Sequence, residues 1–476
     1  DRERAEKVSN FMLDVFSAAD PFTNFGKEPT ARVLLDQAAR NIQNDLGQQP
    51  EVRARLLEAI GRSYRRIGQP DRAVAYLQDS LRIQRQLPHD DLSALGSIVT
   101  EIAITLREQG RIDESDGYFS EALEISRHSQ GQHSEAYARL LVDLGRLEKL
   151  RSNPTQALKY LEEALKLTRQ LKGDKDRYIG EILGDISNVK VWSDDLEGAE
   201  QAARASVEIY KSAKEGDPDR VMADYYLADI LFYRGRVDDA AALFERALTA
   251  RRQLYGTSSR AVAETLAALA QVRIAQGKLQ QAEKLTREAL AIHQDVKSTA
   301  YLQIGYLQTM LASVEMRQDR FDEAEQELRG TLVMYEKNVP RDHQYVASAE
   351  HYLGEALLAQ SKYREAEVVL VAATERWKRT GAPAWRTARS ASALGEALSG
   401  LGRNDEAEQY LVDSYRELSS DPGADRDSKR IARERVTKFF TALGQKQKLN
   451  SLLLEGGGGG EARQSSVQSP ASPSGG

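Results

Sequence analysis

One run of residues recurs down this chain at a fixed interval. From Gly68 to Leu81 it reads G-Q-P-D-R-A-V-A-Y-L-Q-D-S-L: a turn residue, a small residue five on, a large apolar residue nine on, then a small-plus-apolar pair. The same order returns from Gly110, Ser152, Asp194, Gly235, Gly277, Asp319, Ser361 and Gly402, more weakly from Gly26 and in part from Gly444. Successive starts lie 42 or 41 residues apart. A period of this length restricts the fold severely, because each unit need only bury its apolar face against its neighbours. A chain of 476 residues would otherwise suggest two or three globular domains. The period predicts instead an all-α solenoid of about eleven antiparallel helix hairpins.

The columns of the repeat show how the helices of a pair should meet. Eight residues before each turn stands an apolar residue, as at Ile60, Ile102, Leu144, Leu227 and Leu353, and the next is small, as at Gly61, Ala103, Gly145, Ala228 and Gly354. Five past the turn comes a second small residue (Ala73, Ser115, Ala157, Ala240, Ala366), and nine past it a bulky one (Leu77, Phe119, Leu161, Phe244, Leu328, Leu370, Leu411). Helix axes approach within about 8–10 Å only where small side chains meet, and large ones then fill the flanking gaps. Two units break the bulky column. Ala203 is small, and Thr286 is polar with Leu285 beside it to supply the volume.

Composition narrows the function. A net charge of −6 argues against a general nucleic-acid binder. With no cysteine, disulfides, zinc–thiolate sites and cysteine nucleophiles are excluded. The longest apolar run, Val368 to Ala373, is too short to span a bilayer, so no membrane insertion is expected of this segment. The chain starts at Asp1 rather than Met, which reads as a cut within a longer protein. No glycine-rich loop, H-R-D or D-F-G of a kinase is present, and Gly456–Gly460 lacks the lysine and strand of a phosphate loop. His128 and His133 stand five apart with no H-E-x-x-H frame, and read as solvated loop residues. No catalytic residue, metal or cofactor is expected.

The organisation expected from the pattern is a first, atypical hairpin over 1–46, a regular array over 47–425, capping helices over 426–455 and a disordered Gly/Ser/Pro tail over 456–476. Within the first hairpin, residues 1–19 have helical spacing, Asp20-Pro21 ends that helix, and Thr30 is placed to cap a second helix through about Asn44. Pro88, Gly131, Gly173, Pro218, Gly256, Pro340, Pro383 and Pro422 mark loops between units.

These columns resemble the tetratricopeptide repeat. Gly61 with Tyr64 and Ala73 with Leu77 match its W-x2-L-G-x2-Y…A-x3-F pattern, with Leu57 where the tryptophan would stand. The period exceeds the usual 34 by eight, as in the kinesin-light-chain class. The resemblance implies a right-handed superhelix whose first helices line a concave groove. A narrower resemblance is carried by E-K-V-S-N-F-M-L-D-V-F-S-A-A-D-P, T-A-R-V-L-L-D-Q-A-A-R-N-I and Q-P-E-V-R-A-R-L-L-E-A-I-G-R-S-Y-R-R-I-G. These look like the C-terminal repeat region of bacterial serine/threonine protein kinases, in which a catalytic domain and a membrane helix come first. The compartment, on either side of a membrane, stays open.

By the geometry of such repeats, positions 13, 10, 9, 6, 3 and 2 before each turn face the groove. The early units put Arg55, Arg62, Arg65, Arg66, Arg107, Arg139, Arg146 and Lys149 there, among Glu58, Glu101, Glu108 and Asp143. The middle units put Trp192, Tyr225, Tyr226, Phe232, Tyr233, Tyr306, Met310, Met316, His351 and Tyr352 there. Arginines and aromatics are the usual anchors of recognition, so the expected partner is a peptide or protein with acidic and apolar residues. A catalytic solenoid ranks last among the readings, since no acid, base, nucleophile or metal cluster converges, and three nearer alternatives stand beside this one. The aromatics can serve as packing between repeats, the arginines can pair with the nearby acids, and exposed faces can serve self-association. Around Trp192, Gly184 and Ser187 compete for the small position, so two registers remain open.

Overall fold

The computed structural model describes residues 31–45, 49–88, 92–129, 133–151, 153–193, 195–214, 216–295 and 301–457. Among them every regular element is an α-helix. The described residues group into two compact units, one through Leu243 and one from Phe244. The first holds α1 (Ala31–Asp45), α2 (Pro50–Arg66), α3 (Pro70–Gln84), α4 (Leu92–Glu108), α5 (Ile112–Ser129), α6 (Glu135–Leu150), α7 (Pro154–Lys172), α8 (Arg177–Trp192), α9 (Leu196–Ile209) and α10 (Pro218–Tyr233). Helix α11 (Val237–Tyr255) runs across the limit between them. The second holds α12 (Arg260–Ala275), α13 (Leu279–Asp295), α14 (Tyr301–Met316), α15 (Phe321–Asn338) and α16 (Gln344–Ala359). It continues with α17 (Tyr363–Arg379), α18 (Ala384–Gly400), α19 (Asn404–Ser420), α20 (Arg426–Ala442) and α21 (Lys446–Gly457). In each unit consecutive helices pair as hairpins, and each second helix packs on the next first helix. This is a solenoid of stacked hairpins, as the period requires.

Among the described residues the turns inside the hairpins are built the same way. The Gln69 N–H donates to the Tyr64 carbonyl at 2.9 Å, and the Gly68 N–H to that of Arg65 at 3.0 Å. This double bond satisfies the last carbonyls of the helix and needs a left-handed residue after it. The long bond recurs from Arg111 to Leu106, Lys278 to Arg273, Lys362 to Leu357 and Arg403 to Leu398. Glycine fills the left-handed place in most units, but Asp319 (φ 61°) and Ser361 (φ 60°) hold it with a side chain. That conformation costs an L-residue about 1–2 kcal/mol, against about 0.4–1 kcal/mol for the extra freedom glycine has when unfolded. Ser361→Gly and Asp319→Gly should therefore each stabilise the second unit, by about 1 kcal/mol. A lowered urea midpoint in either variant would show that the side chain contributes more than its strain.

The small and bulky columns meet as expected. A Cβ added at Gly61 would stand 2.6 Å from Leu77 Cγ, one at Gly145 2.7 Å from Leu161 Cγ, and one at Gly395 2.7 Å from Leu411 Cγ. Gly354 sits against Leu370 in the same manner. The exceptions compensate. Where Ala203 replaces the bulky residue, the first helix carries Ser187 in the small place, and both are buried. The Asp195 N–H donates to the Lys190 carbonyl at 3.0 Å, the same five-residue bond as in the other turns, so the register around Trp192 is the one that uses Ser187. Thr286 is fully buried, donates to the Ala282 carbonyl at 2.9 Å and meets the Met310 sulfur at 3.6 Å, while Leu285 is only half-buried. The flexible methionine fills the gap that the sequence had given to Leu285.

One local expectation changes. Pro218 begins α10 instead of marking a loop, since the first helical position needs no N–H donor. Tyr64, fully buried, stacks on Tyr76 at 5.3 Å, and its hydroxyl donates to Asp36 of α1, which Arg72 also holds. Burial, then the Asp36 bond, pushes the phenol up to about 12. Residues 1–30, with the helix expected over 1–19 and the Thr30 cap, lie outside the described residues, as do 458–476 of the tail.

Candidate functional site: the first-helix face

In the first unit, α2, α4, α6, α8 and α10 touch one another in succession, so their outward positions form a continuous face. A charge ladder runs along it. Arg62 meets Glu101 at 2.8 Å, Arg65 meets Glu108 at 2.8 Å and Glu101 at 3.4 Å, and Arg107 meets Asp143 at 2.9 Å. Arg146 holds Asp185 and Glu181, each at 2.7 Å, and Lys149 donates to Asn188 at 2.6 Å. The rule is in the register. A cation six before one turn meets an acid nine before the next, as with Arg62 and Glu101 or Arg146 and Asp185; one three before, like Arg107, reaches the same place. Burial opposes the Arg146 charge, but Asp185 and Asp143 hold its pKa above the ordinary value. The more exposed of these pairs, such as Arg146 with Glu181, contribute only about 0–1 kcal/mol each, so their part of the ladder fixes neighbour against neighbour more than it stabilises.

Most of the expected basic patch is therefore engaged. Arg139 lies over the Tyr178 ring at 5.5 Å and near Glu135, leaving Arg55 and Arg66 as the cations of the set that are exposed and without an ion-pair partner among the described residues. At the other end of the unit the face turns aromatic. Trp192 is 61% exposed beside the Lys149 ammonium at 5.7 Å, and Tyr233 is 57% exposed. Tyr225 and Tyr226 meet edge to face at 6.2 Å, Phe232 and Tyr233 at 6.1 Å, and Tyr226 lies against Gly184 of α8. Between the two pairs, on the same helix, stands Asp229. Burial pushes its carboxyl up to about 6, and no hydrogen bond or ion pair holds it among the described residues.

The second unit arranges the same positions differently. Met310 and His351, expected on the face, are only 7% and 2% exposed. Met310 fills the space beside Thr286, and His351 packs between α16 and α18 with Nδ1 3.2 Å from Ser390 Oγ. Burial, then Arg389 and Arg435, lowers the His351 pKa well below the ordinary value, so the ring is neutral. Arg435 of α20 is 7% exposed and spans Glu396 of α18 at 2.7 Å and Glu355 of α16 at 2.6 Å. Arg317, just past α14, reaches Asp427 of α20 at 3.0 Å. Tyr306 stands 5.6 Å from Tyr345, and Tyr352 lies under the Arg389 guanidinium at 5.5 Å. The first-helix face of this unit is occupied by its own side chains.

Sequence reasoning overlooked Asp185, Asp229, Glu355, Glu396 and Arg435. All five fall six or nine before a turn, so the repeat register could have found them. Among the described residues no cluster of His, Cys, Asp or Glu is arranged to hold a metal ion, and no helix is long and apolar enough to cross a membrane.

Paired helices, a shared turn and glycine–leucine crossings repeated at one period define a helical-repeat scaffold. The tetratricopeptide repeat pattern is matched over 56–90, 95–170, 219–295, 307–345 and 345–416, more than half of the chain. The chain belongs to the tetratricopeptide repeat family. Its fold is similar to the apo quorum sensor NprR from B. thuringiensis, at 14% identity and TM-score 0.54, covering 79% of this chain and 99% of that one. It is similar also to apo RapI, at 13% identity and TM-score 0.54, covering 81% and 98%. A putative kinesin light chain from Podosopora anserina, with nearly identical TPR-like repeats, matches 42% of this chain and 94% of its own at 20% identity and TM-score 0.38. No curated protein matches this chain in sequence.

Proposed function

We propose that the chain is a docking scaffold whose first unit holds an extended segment of a partner protein along the first-helix face. One contrast carries the reading. The second unit closes this face with internal pairs, whereas the first leaves Trp192 and Tyr233 exposed at one end and Arg55 and Arg66 at the other. Aromatic rings give large contact area at low entropic cost, and cations without partners favour acidic residues. The segment therefore carries acidic residues toward Arg55 and Arg66 and apolar ones toward α10. The resemblance of the first 90 or so residues to kinase repeat regions supports placing the scaffold in the sensory part of a bacterial serine/threonine kinase. Sequence upstream of Asp1 tests that part of the reading.

Linear peptides selected by display against the chain test the groove. Tyr225→Ala with Tyr226→Ala should weaken the selected peptides by about thirtyfold or more, the loss of a two-residue anchor. Circular dichroism should remain helical. Unfolding of that variant would show instead that the tyrosines are core. Charge reversal at Arg55 and Arg66 should weaken binding less, and the loss should shrink as salt rises. A second reading, self-association, has in its favour Val368 and Val371 of α17, which are 70% and 43% exposed. Concentration-dependent mass by light scattering, with no peptide selected, would favour it.

A further inference from the structure

Asp229 occupies the ladder position six before its turn, where α2 and α6 carry Arg62 and Arg146. Those arginines find acids nine before the next turn; one repeat after Asp229 the sequence offers Ala268 there. The charge sign is reversed and the expected partner is missing. Nor does the preceding first helix supply a cation. On α8 the positions six and three before the turn carry Asn188 and Val191, and its two cations are engaged, Lys190 by Asp195 at 2.6 Å and Arg177 by Asp217 and Asp219 at 2.8 and 2.7 Å. Burial pushes the Asp229 carboxyl up to about 6, and among the described residues no ion pair offsets it.

What surrounds Asp229 on α10 is aromatic. Tyr225 and Tyr226 lie four and three residues before it, Phe232 and Tyr233 three and four after. On a helix these spacings place all four on the face that Asp229 occupies, one pair a turn above and one a turn below. A carboxylate without a counter-ion, half-buried and bracketed by rings, is complementary to one chemistry: a cation with an apolar stem. An arginine guanidinium or lysine ammonium would donate hydrogen bonds to the carboxylate while its charge lies near ring faces. An acidic or purely apolar guest would leave the carboxylate buried and unpaired.

We infer that Asp229 and the tyrosine and phenylalanine pairs flanking it form a subsite for a single basic side chain, arginine or lysine, of the bound segment. The inference rests on the proposed groove and adds a basic residue to the acidic and apolar ones expected of the partner. Isosteric Asp229→Asn removes the charge without a change of shape and relieves a buried anion, so the variant folds.

The same display selection reads the outcome. Enriched peptides should share a basic residue, and replacing an arginine there with neutral citrulline should weaken binding at least about tenfold. Asp229→Asn should weaken the parent peptide equally and leave the citrulline peptide unaffected, since both changes remove one interaction. Peptides that lose affinity in the Tyr225→Ala, Tyr226→Ala variant yet ignore Asp229→Asn would overturn the subsite and leave the groove standing. Failure to enrich any peptide would overturn both.

Discussion

Arg435→Ala should cost the second unit about 3 kcal/mol, because it leaves half-buried Glu355 without its arginine and Glu396 with only the exposed Lys438 at 3.1 Å. The guanidinium is 7% exposed and bridges carboxylates on α16 and α18, two hairpins' first helices at once. Burial alone would discourage its charge, and the two carboxylates reverse that, raising its pKa above the ordinary value. Removing the arginine abolishes that compensation while the carboxylates keep their cost. Arg435→Met with Glu355→Gln and Glu396→Gln removes all three charges together and should cost much less, since a neutral cluster of similar volume has no buried charge to satisfy. The measurement is urea unfolding followed by circular dichroism. A midpoint for Arg435→Ala within error of the parent would show that the cluster is solvated and that the second unit's face is open after all.

Gly395→Ala is expected to cost about 1–3 kcal/mol through overpacking, although alanine is otherwise the better helix former. The added methyl would stand 2.7 Å from Leu411 Cγ, 2.9 Å from Cδ2 and 3.2 Å from the Leu411 backbone nitrogen, so the leucine cannot simply swing its tip aside. Leu411→Ala alone should cost about 2–5 kcal/mol, because the side chain is 1% exposed and leaves a cavity at the crossing of α18 and α19. Combined, the two changes should cost less than their sum by about 0.5–3 kcal/mol, because the new methyl enters the space the leucine leaves. Strict additivity would mean that the crossing does not depend on these two residues meeting. Because the same pair recurs as Gly61 with Leu77 and Gly145 with Leu161, the cycle tests the packing rule of the array as well as one hairpin.

The candidate face shows how far a repeat can be read. The seven arginines lie on first helices, but five of them are bound to residues one repeat away or on their own helix, so the basic surface shrinks to Arg55 and Arg66. The aromatic positions divide likewise. Trp192 and Tyr233 stay exposed, whereas Met310 and His351 pass into the core. Asp229 was overlooked because, taken singly, an aspartate on a helix reads as solvated face. Its meaning lies in the absence of a partner.

Left to itself, the sequence determined the hairpins, their turns and the crossing of each pair. These depend on contacts within about 42 residues, and one steric rule, small against large, repeats often enough to be read despite its lapses at Ala203 and Thr286. Only the tertiary structure decided which charged groups on the first helices are spent on one another and which stand exposed without an ion pair among the described residues. That depends on pairs such as Arg435 with Glu355, 80 residues apart, and Arg317 with Asp427, 110 apart, which no single period encodes. A charge is judged buried or available by what stands opposite it in space, and spacing along the chain does not fix that.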